Sequence, residues 1–200
     1  VVYDAMNKGI NRSTGELIGI VNSDDWLELD AIEQIVKLAK TTPDYKNCIF
    51  CGSLRFHYQD GSHQLMESDE ERFQNGMKKH SLNHGAYHPS MVVGKGVYEK
   101  MGLFDVNYRV IADTDFIDRC YYGGIKFVFT KAVINNMSDG GASNKMNLKR
   151  RVPDKIYGCR KKGYGTIKTY WKTILYIIKL ALKSVVGEKL MKSYRKNNTK

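Results

Sequence analysis

Leu17-Ile18-Gly19-Ile20-Val21-Asn22-Ser23-Asp24-Asp25-Trp26 runs from a continuous apolar segment straight into two adjacent carboxylates. An uninterrupted apolar run of this length predicts a strand over 17–21, buried on both faces. Buried charge is costly unless it is paired or binds a metal. Open α/β sheets take their ligands beyond the carboxyl ends of their strands, which is where Asp24 and Asp25 fall. Hard oxygen ligands of this kind suit Mg²⁺ or Mn²⁺, which use one or two carboxylates together with substrate phosphates. A second reading is that one of these Asp residues caps a helix beginning near Leu27. Spacing alone leaves both readings open.

Working outward, Leu29-Asp30 opens an amphipathic helix. Its pattern puts Ile32, Ile35, Val36 and Ala39 inward and Glu33, Lys37 and Lys40 outward, and Pro43 closes it. Upstream, residues 4–11 read as a helix. Downstream, 48–58 and 62–66 form a hairpin around Asp60-Gly61. The polar segment 69–83 reads as a loop or a frayed helix. Next come a strand at 90–93, a short helix at 96–101, a helix at 113–122 stopped by Gly123-Gly124, and a strand at 125–134. Alternating helices and strands with one hairpin predict an α/β fold with a mixed sheet.

Charge divides the chain near Lys149. Residues 149–200 carry 16 Lys and Arg against 2 Asp and Glu, whereas 1–148 carry 16 against 19. The net charge of +11 therefore describes a tail, 149–200, and not the domain, 1–148. Such a tail calls for an anionic partner. Cys48-Ile-Phe-Cys51 has redox spacing, but it lies in an apolar run with no second pair to complete a zinc site. Buried, reduced thiols are the expectation.

Tyr3-Asp4-Ala5-Met6-Asn7-Lys8-Gly9-Ile10, then Thr14-Gly15-Glu16, then Asn22-Ser23-Asp24-Asp25-Trp26 resembles, in order and spacing, the central stretch of family 2 glycosyltransferases. Gly102-Leu103-Phe104-Asp105, followed by Ala112-Asp113-Thr114-Asp115-Phe116 and Arg119, resembles that family's later signature. The resemblance implies a GT-A-like, Rossmann-related mixed sheet. It also implies an inverting, metal-assisted transfer from a nucleotide-diphosphate sugar to a glycan or lipid-linked acceptor in cell-envelope polysaccharide synthesis. Asp25 then corresponds to the ligand of Mn²⁺ or Mg²⁺, and Asp24 faces the donor. Asp4 and Asn7 fall on the donor side. Asp113 aligns with the base that deprotonates the acceptor hydroxyl. Asp115, His88, Gly140 and Gly141 fall on the acceptor side. From periodicity alone, Asp113 reads as a helix cap. The family's opening strand and nucleotide-binding βαβ unit have no counterpart before Tyr3, so the resemblance implies an N-terminally truncated domain.

Residues 166–186 read as a helix with Lys168, Lys172, Lys179 and Lys183 on one side and Ile174, Ile177, Ile178 and Val185 opposite. Interrupted by lysines, it suits a helix lying in a membrane interface better than one spanning a bilayer. Residues 160–195 are therefore expected to meet an anionic membrane surface, with the protein cytoplasmic and peripheral on the inner face. Nucleic acid is not expected, because the acidic balance of 1–148 offers no broad binding face. Two rival readings remain. One is a non-catalytic remnant or polybasic binding module. The other is a metal-dependent phosphohydrolase, which would need more ligands than Asp24 and Asp25.

Overall fold

The computed structural model describes residues 2–79, 85–140 and 148–198, with side chains described as far as Leu182. The chain forms two compact units, one of Val1–Val106 and Ala112–Met146, the other of Asn107–Ile111 and Asn147–Lys200.

The first unit is α/β. In chain order it contains α1 (Val2–Arg12), β1 (Leu17–Gly19), β2 (Trp26–Leu27), α2 (Ala31–Lys40), β3 (Cys48–His57), β4 (His63–Met66), α3 (Glu70–Lys78), β5 (Met91–Gly94), α4 (Lys95–Met101), α5 (Ala112–Tyr122) and β6 (Lys126–Ser138). The sheet order is β1-β5-β3-β6-β2, with β4 paired to β3 off this path. Only β3 and β6 run parallel; the other pairs are antiparallel. A mixed sheet flanked by helices is the architecture that the resemblance to GT-A enzymes implied.

Strand β3 is the centre of the core. Cys48 to Leu54 are all buried, because β5 covers one edge and β6 the other. Its register with β6 slips at Gly52. A Cβ on Gly52 would overlap the Ile134 side chain, so only glycine lets the strands meet there. On one face of the sheet Ala31, Ile35 and Ala39 of α2 pack with Cys48, Phe50 and Ile134. Elsewhere Phe73 of α3 meets Phe127 and Phe129 with ring centroids 4.6 and 5.4 Å apart. Truncating a side chain as enclosed as Phe73 costs about 3–5 kcal/mol.

Several expectations require correction. β1 is not buried on both faces. It is a three-residue edge strand paired only with β5, so Ile18 alone is covered and Val21 is 45% exposed. In α2 the buried phase is Ala31, Ile35 and Ala39; Ile32 and Val36 are exposed, because the helix rests on the sheet through a narrow stripe. Of the two readings of segment 69–83, the helix is the one found, as α3. Asp69 accepts the Arg72 N–H at 2.6 Å and caps α3, which buries Phe73, Gly76 and Met77. β6 continues to Ser138 because both β3 and β2 pair with its second half.

All four cysteines are free and buried. Burial pushes the Cys120 thiol up to about 12 and raises Cys51 as well, which keeps both protonated and inert.

The second unit pairs α6 (Leu148–Lys161) with α7 (Thr166–Asn198). The break at Gly163 means that Lys161 does not extend the lysine row of α7. Asp154 is 1% exposed, and its carboxylate accepts the backbone N–H groups of Arg109, Val110 and Ile111 at 2.7–3.1 Å. Those bonds are what make so buried a charge tolerable. In α7 Thr169, Thr173, Tyr176 and Leu180 are buried, whereas Ile167, Trp171, Ile174, Ile178 and Leu182 are exposed. The expected apolar side is thus shifted. The outward stripe runs through Trp171 and Ile178, and Ile177 is half-buried. The Lys183 and Val185 side chains lie outside the described residues. Among the described residues, no helix is long and apolar enough to cross a membrane.

Candidate active site

The acidic turn is held from two sides. Asp25 N–H donates to the Asn22 carbonyl at 3.2 Å, closing the turn. Asn22 Nδ2 donates to Asp25 Oδ2 at 2.8 Å, and Ser138 N–H donates to Asp25 Oδ1 at 3.3 Å. Ser138 is there because β2 pairs Trp26 with Asn136, which brings the end of β6 alongside the turn. Asp25 is half-buried and Asp24 exposed. Neither caps α2, which starts at Ala31 behind Asp30. Capping therefore does not explain the carboxylate pair.

This donor set fits a single hard cation. Each Asp25 oxygen accepts one N–H bond and keeps lone-pair capacity, and Asp24 stands open beside it. Among the described residues, no group of three or more His, Cys, Asp and Glu is gathered. One or two carboxylates completed by phosphate oxygens is the usual arrangement for Mg²⁺.

Asp113 lies in the first turn of α5, one residue inside the helix. Its Oδ1 accepts the Thr114 N–H at 2.8 Å, satisfying one of the helix's open donors. The same Oδ1 accepts the Tyr3 hydroxyl of α1 at 3.2 Å. His88, in the 3-10 turn His88–Ser90, sets its ring edge-on to Phe104 with centroids 5.3 Å apart. Burial lowers the His88 pKa, and the Asp113 charge acts in the opposite sense. The Asp113 carboxylate is thus bonded by the Tyr3 hydroxyl and coupled electrostatically to His88.

Other residues named from the sequence have different settings. Asn7 donates from Nδ2 to the Phe104 carbonyl at 2.8 Å and accepts the Phe104 N–H at 3.0 Å, tying α1 to the loop before α5. Asp4 meets Lys8 one turn away at 2.9 Å. Lys8 also lowers the Asp4 pKa, chiefly through that hydrogen bond. Asp115 is buried and accepts from Arg119 Nε at 2.9 Å, while Arg119 also donates to the carbonyls of Met101 and Leu103. That cluster ties α5 to the loop that precedes it. Gly140, two residues beyond Ser138, has φ +116°, a conformation that favours glycine. Gly141 lies outside the described residues.

Two features were missed in the sequence. Tyr3 stood in the quoted motif without a role, since nothing in its spacing points to a residue 110 positions away. A polar network beside the acidic turn was missed as well. Arg55 donates to Glu28 and Asn136, Asn136 donates to Glu28 at 3.1 Å, and His57 Nε2 lies 2.9 Å from Asn136 Oδ1. Trp26 then packs on His57 with centroids 4.9 Å apart. The alternation of Arg55 and His57 along β3 was the available signal.

An acidic turn and a helix-borne carboxylate on one mixed α/β sheet are what a glycosyltransferase domain is expected to carry. Residues 2–101 match the family described as Glycosyl transferase family 2, and the chain belongs to that family. It is 32% identical over 77 residues to a putative glycosyltransferase, EpsH, of Bacillus subtilis, covering 38% of this chain and 21% of that protein. It is 26% identical over 123 residues to a PGL/p-HBAD biosynthesis glycosyltransferase of Mycobacterium tuberculosis, covering 60% of this chain and 43% of that protein. The chain therefore spans less than half the length of these curated relatives.

Proposed function

We propose that the chain carries the metal-binding and acceptor-activating part of an inverting glycosyltransferase. It would use a nucleotide-diphosphate sugar donor and a glycan or lipid-linked acceptor. The observation behind this reading is the half-anchored Asp113 carboxylate, with both described hydrogen bonds on Oδ1. Oδ2 takes the proton of the acceptor hydroxyl. The acceptor oxygen then bonds to the anomeric carbon as the bond to the diphosphate oxygen breaks, and the electron pair leaves on the diphosphate. A single displacement of this kind inverts the anomeric centre.

Asp25, with Asp24 beside it, would hold Mn²⁺ or Mg²⁺. Such an ion supplies charge neutralisation for the leaving diphosphate. Asn22 and the Ser138 N–H orient Asp25 beforehand. His88, kept neutral by burial, leaves the Asp113 carboxylate without a cationic imidazole competing for the acceptor. The basic stretch 149–200 and the outward stripe of α7 are read as an attachment to the anionic inner face of the cytoplasmic membrane, where lipid-linked acceptors would reside. The biosynthetic role printed in the mycobacterial relative's name accords with an envelope glycan as acceptor.

Calorimetric titration of UDP and a panel of nucleotide-sugars with Mn²⁺ tests this reading, using the chain and Asp25→Ala. Mn²⁺-dependent binding that weakens at least tenfold in the variant supports it. Mn²⁺-dependent binding of equal strength in both proteins rejects Asp25 as the metal ligand.

A further inference from the structure

We infer that Tyr3 is a positioning residue for Asp113, an inference that rests on reading Asp113 as the base. The hydroxyl of Tyr3 and the N–H of Thr114 converge on the same oxygen, Oδ1, at 3.2 and 2.8 Å. They come from different elements, α1 and α5, so together they fix both the position and the rotation of the carboxylate. The described hydrogen bonds of Asp113 leave Oδ2 as the oxygen presented to an acceptor hydroxyl.

Tyr3 is well placed to hold this geometry. It is 6% exposed, and its ring lies 5.7 Å from that of Phe104. Phe104 is itself fixed on α1 through both of its backbone hydrogen bonds to Asn7. Burial first, and the Asp113 charge second, raise the Tyr3 pKa, so the phenol stays protonated and stays a donor. Among the described residues His88 is a second titratable group coupled to this carboxylate, and burial favours its neutral form. A preorganised donor on the spectator oxygen steadies the base and spares it reorientation during proton transfer.

The test uses Tyr3→Phe, which removes the hydroxyl and keeps the ring. A urea-unfolding double-mutant cycle of Tyr3→Phe with Asp113→Ala reads the contact in the chain itself. Coupling at pH 7 that fades once carboxylates are protonated is the expected result. Coupling absent at pH 7, or unchanged by acid, overturns the inference, because ring packing alone would be insensitive to that protonation. In turnover with the donor that binds most tightly in the calorimetric panel, Tyr3→Phe is expected to lower kcat about tenfold and leave KM within about twofold, as for a lost hydrogen bond to a charged group. Wild-type kcat in Tyr3→Phe, with turnover abolished in Asp113→Asn, overturns the role of Tyr3 alone. Full turnover in Asp113→Asn overturns the base reading instead.

Discussion

Asn7 and Phe104 are joined by two hydrogen bonds, the Asn7 amide donating to the Phe104 carbonyl at 2.8 Å and accepting its N–H at 3.0 Å. The pairing gives the amide the role of a missing strand neighbour for a stretch of loop. It also fixes α1 against the segment that leads to α5. Two motifs far apart in sequence are thereby held as one body, and the Tyr3–Asp113 contact depends on that.

Asn7→Leu, close in volume, is therefore expected to destabilise the first unit by about 2–3 kcal/mol, since two Phe104 backbone groups lose their partners. Urea unfolding followed by circular dichroism measures this. Asn7→Asp retains the acceptor but loses the donor, and it is expected to fall between the two.

Gly52→Ala tests the junction of β3 and β6. The added Cβ would overlap Ile134 and crowd the Ala132 carbonyl, neither of which can swing aside within a sheet. A loss of about 2–4 kcal/mol is expected, in the range of overpacked cores. Combining it with Ile134→Ala, which removes the γ carbon that the new Cβ would meet, should cost less than the sum of the two single losses, and non-additivity in thermal unfolding is the readout.

The sequence could carry the local features because each is written in neighbouring residues. The hairpin of β3 and β4 follows from Asp60-Gly61, and α5 is bounded by Gly123-Gly124. What it could not carry is pairing at a distance. No local pattern states that β6 lies parallel to β3, or that its last residues flank β2 and bring Ser138 to Asp25. The same limit hid the edge position of β1. An apolar run looks alike whether one or two strands cover it, and only β5 pairs with this one. For the candidate site, the carboxylates were legible as residue types in order. Their hydrogen-bond partners were not, since Tyr3 and Asn7 act across about half the chain.

His88 gives the stability a pH dependence of known sign. Burial lowers its pKa in the folded state, so the unfolded chain binds the proton more readily. The penalty is absent well above the ordinary histidine value of about 6.5 and grows as pH falls through it towards the lower folded value. Stability should therefore drop as pH falls below about 6.5, with a slope of at most about 1.4 kcal/mol per pH unit, the limit for a single proton. His88→Asn removes a titrating group and is expected to flatten this part of the urea-unfolding profile.

The outward stripe of α7 makes the last prediction. Trp171, Ile174 and Ile178 are 65%, 46% and 48% exposed on one side of the helix, while the opposite side is covered through Thr169, Thr173 and Tyr176. Lys168 and Lys172 are drawn over the Tyr164 ring at 4.6 and 5.0 Å, which gathers positive charge near the start of the helix. An apolar stripe beside lysines favours the interface of an anionic bilayer, where each cation adds about 1 kcal/mol. The chain should sediment with vesicles of phosphatidylcholine and phosphatidylglycerol, and far less with phosphatidylcholine alone. Ile174→Asp with Ile178→Asp should reduce that binding at least tenfold without altering the fold, because neither side chain is part of the covered face. Raising salt should weaken wild-type binding as the lysines are screened. Binding that ignores both lipid charge and the two substitutions would assign the stripe to something other than a membrane.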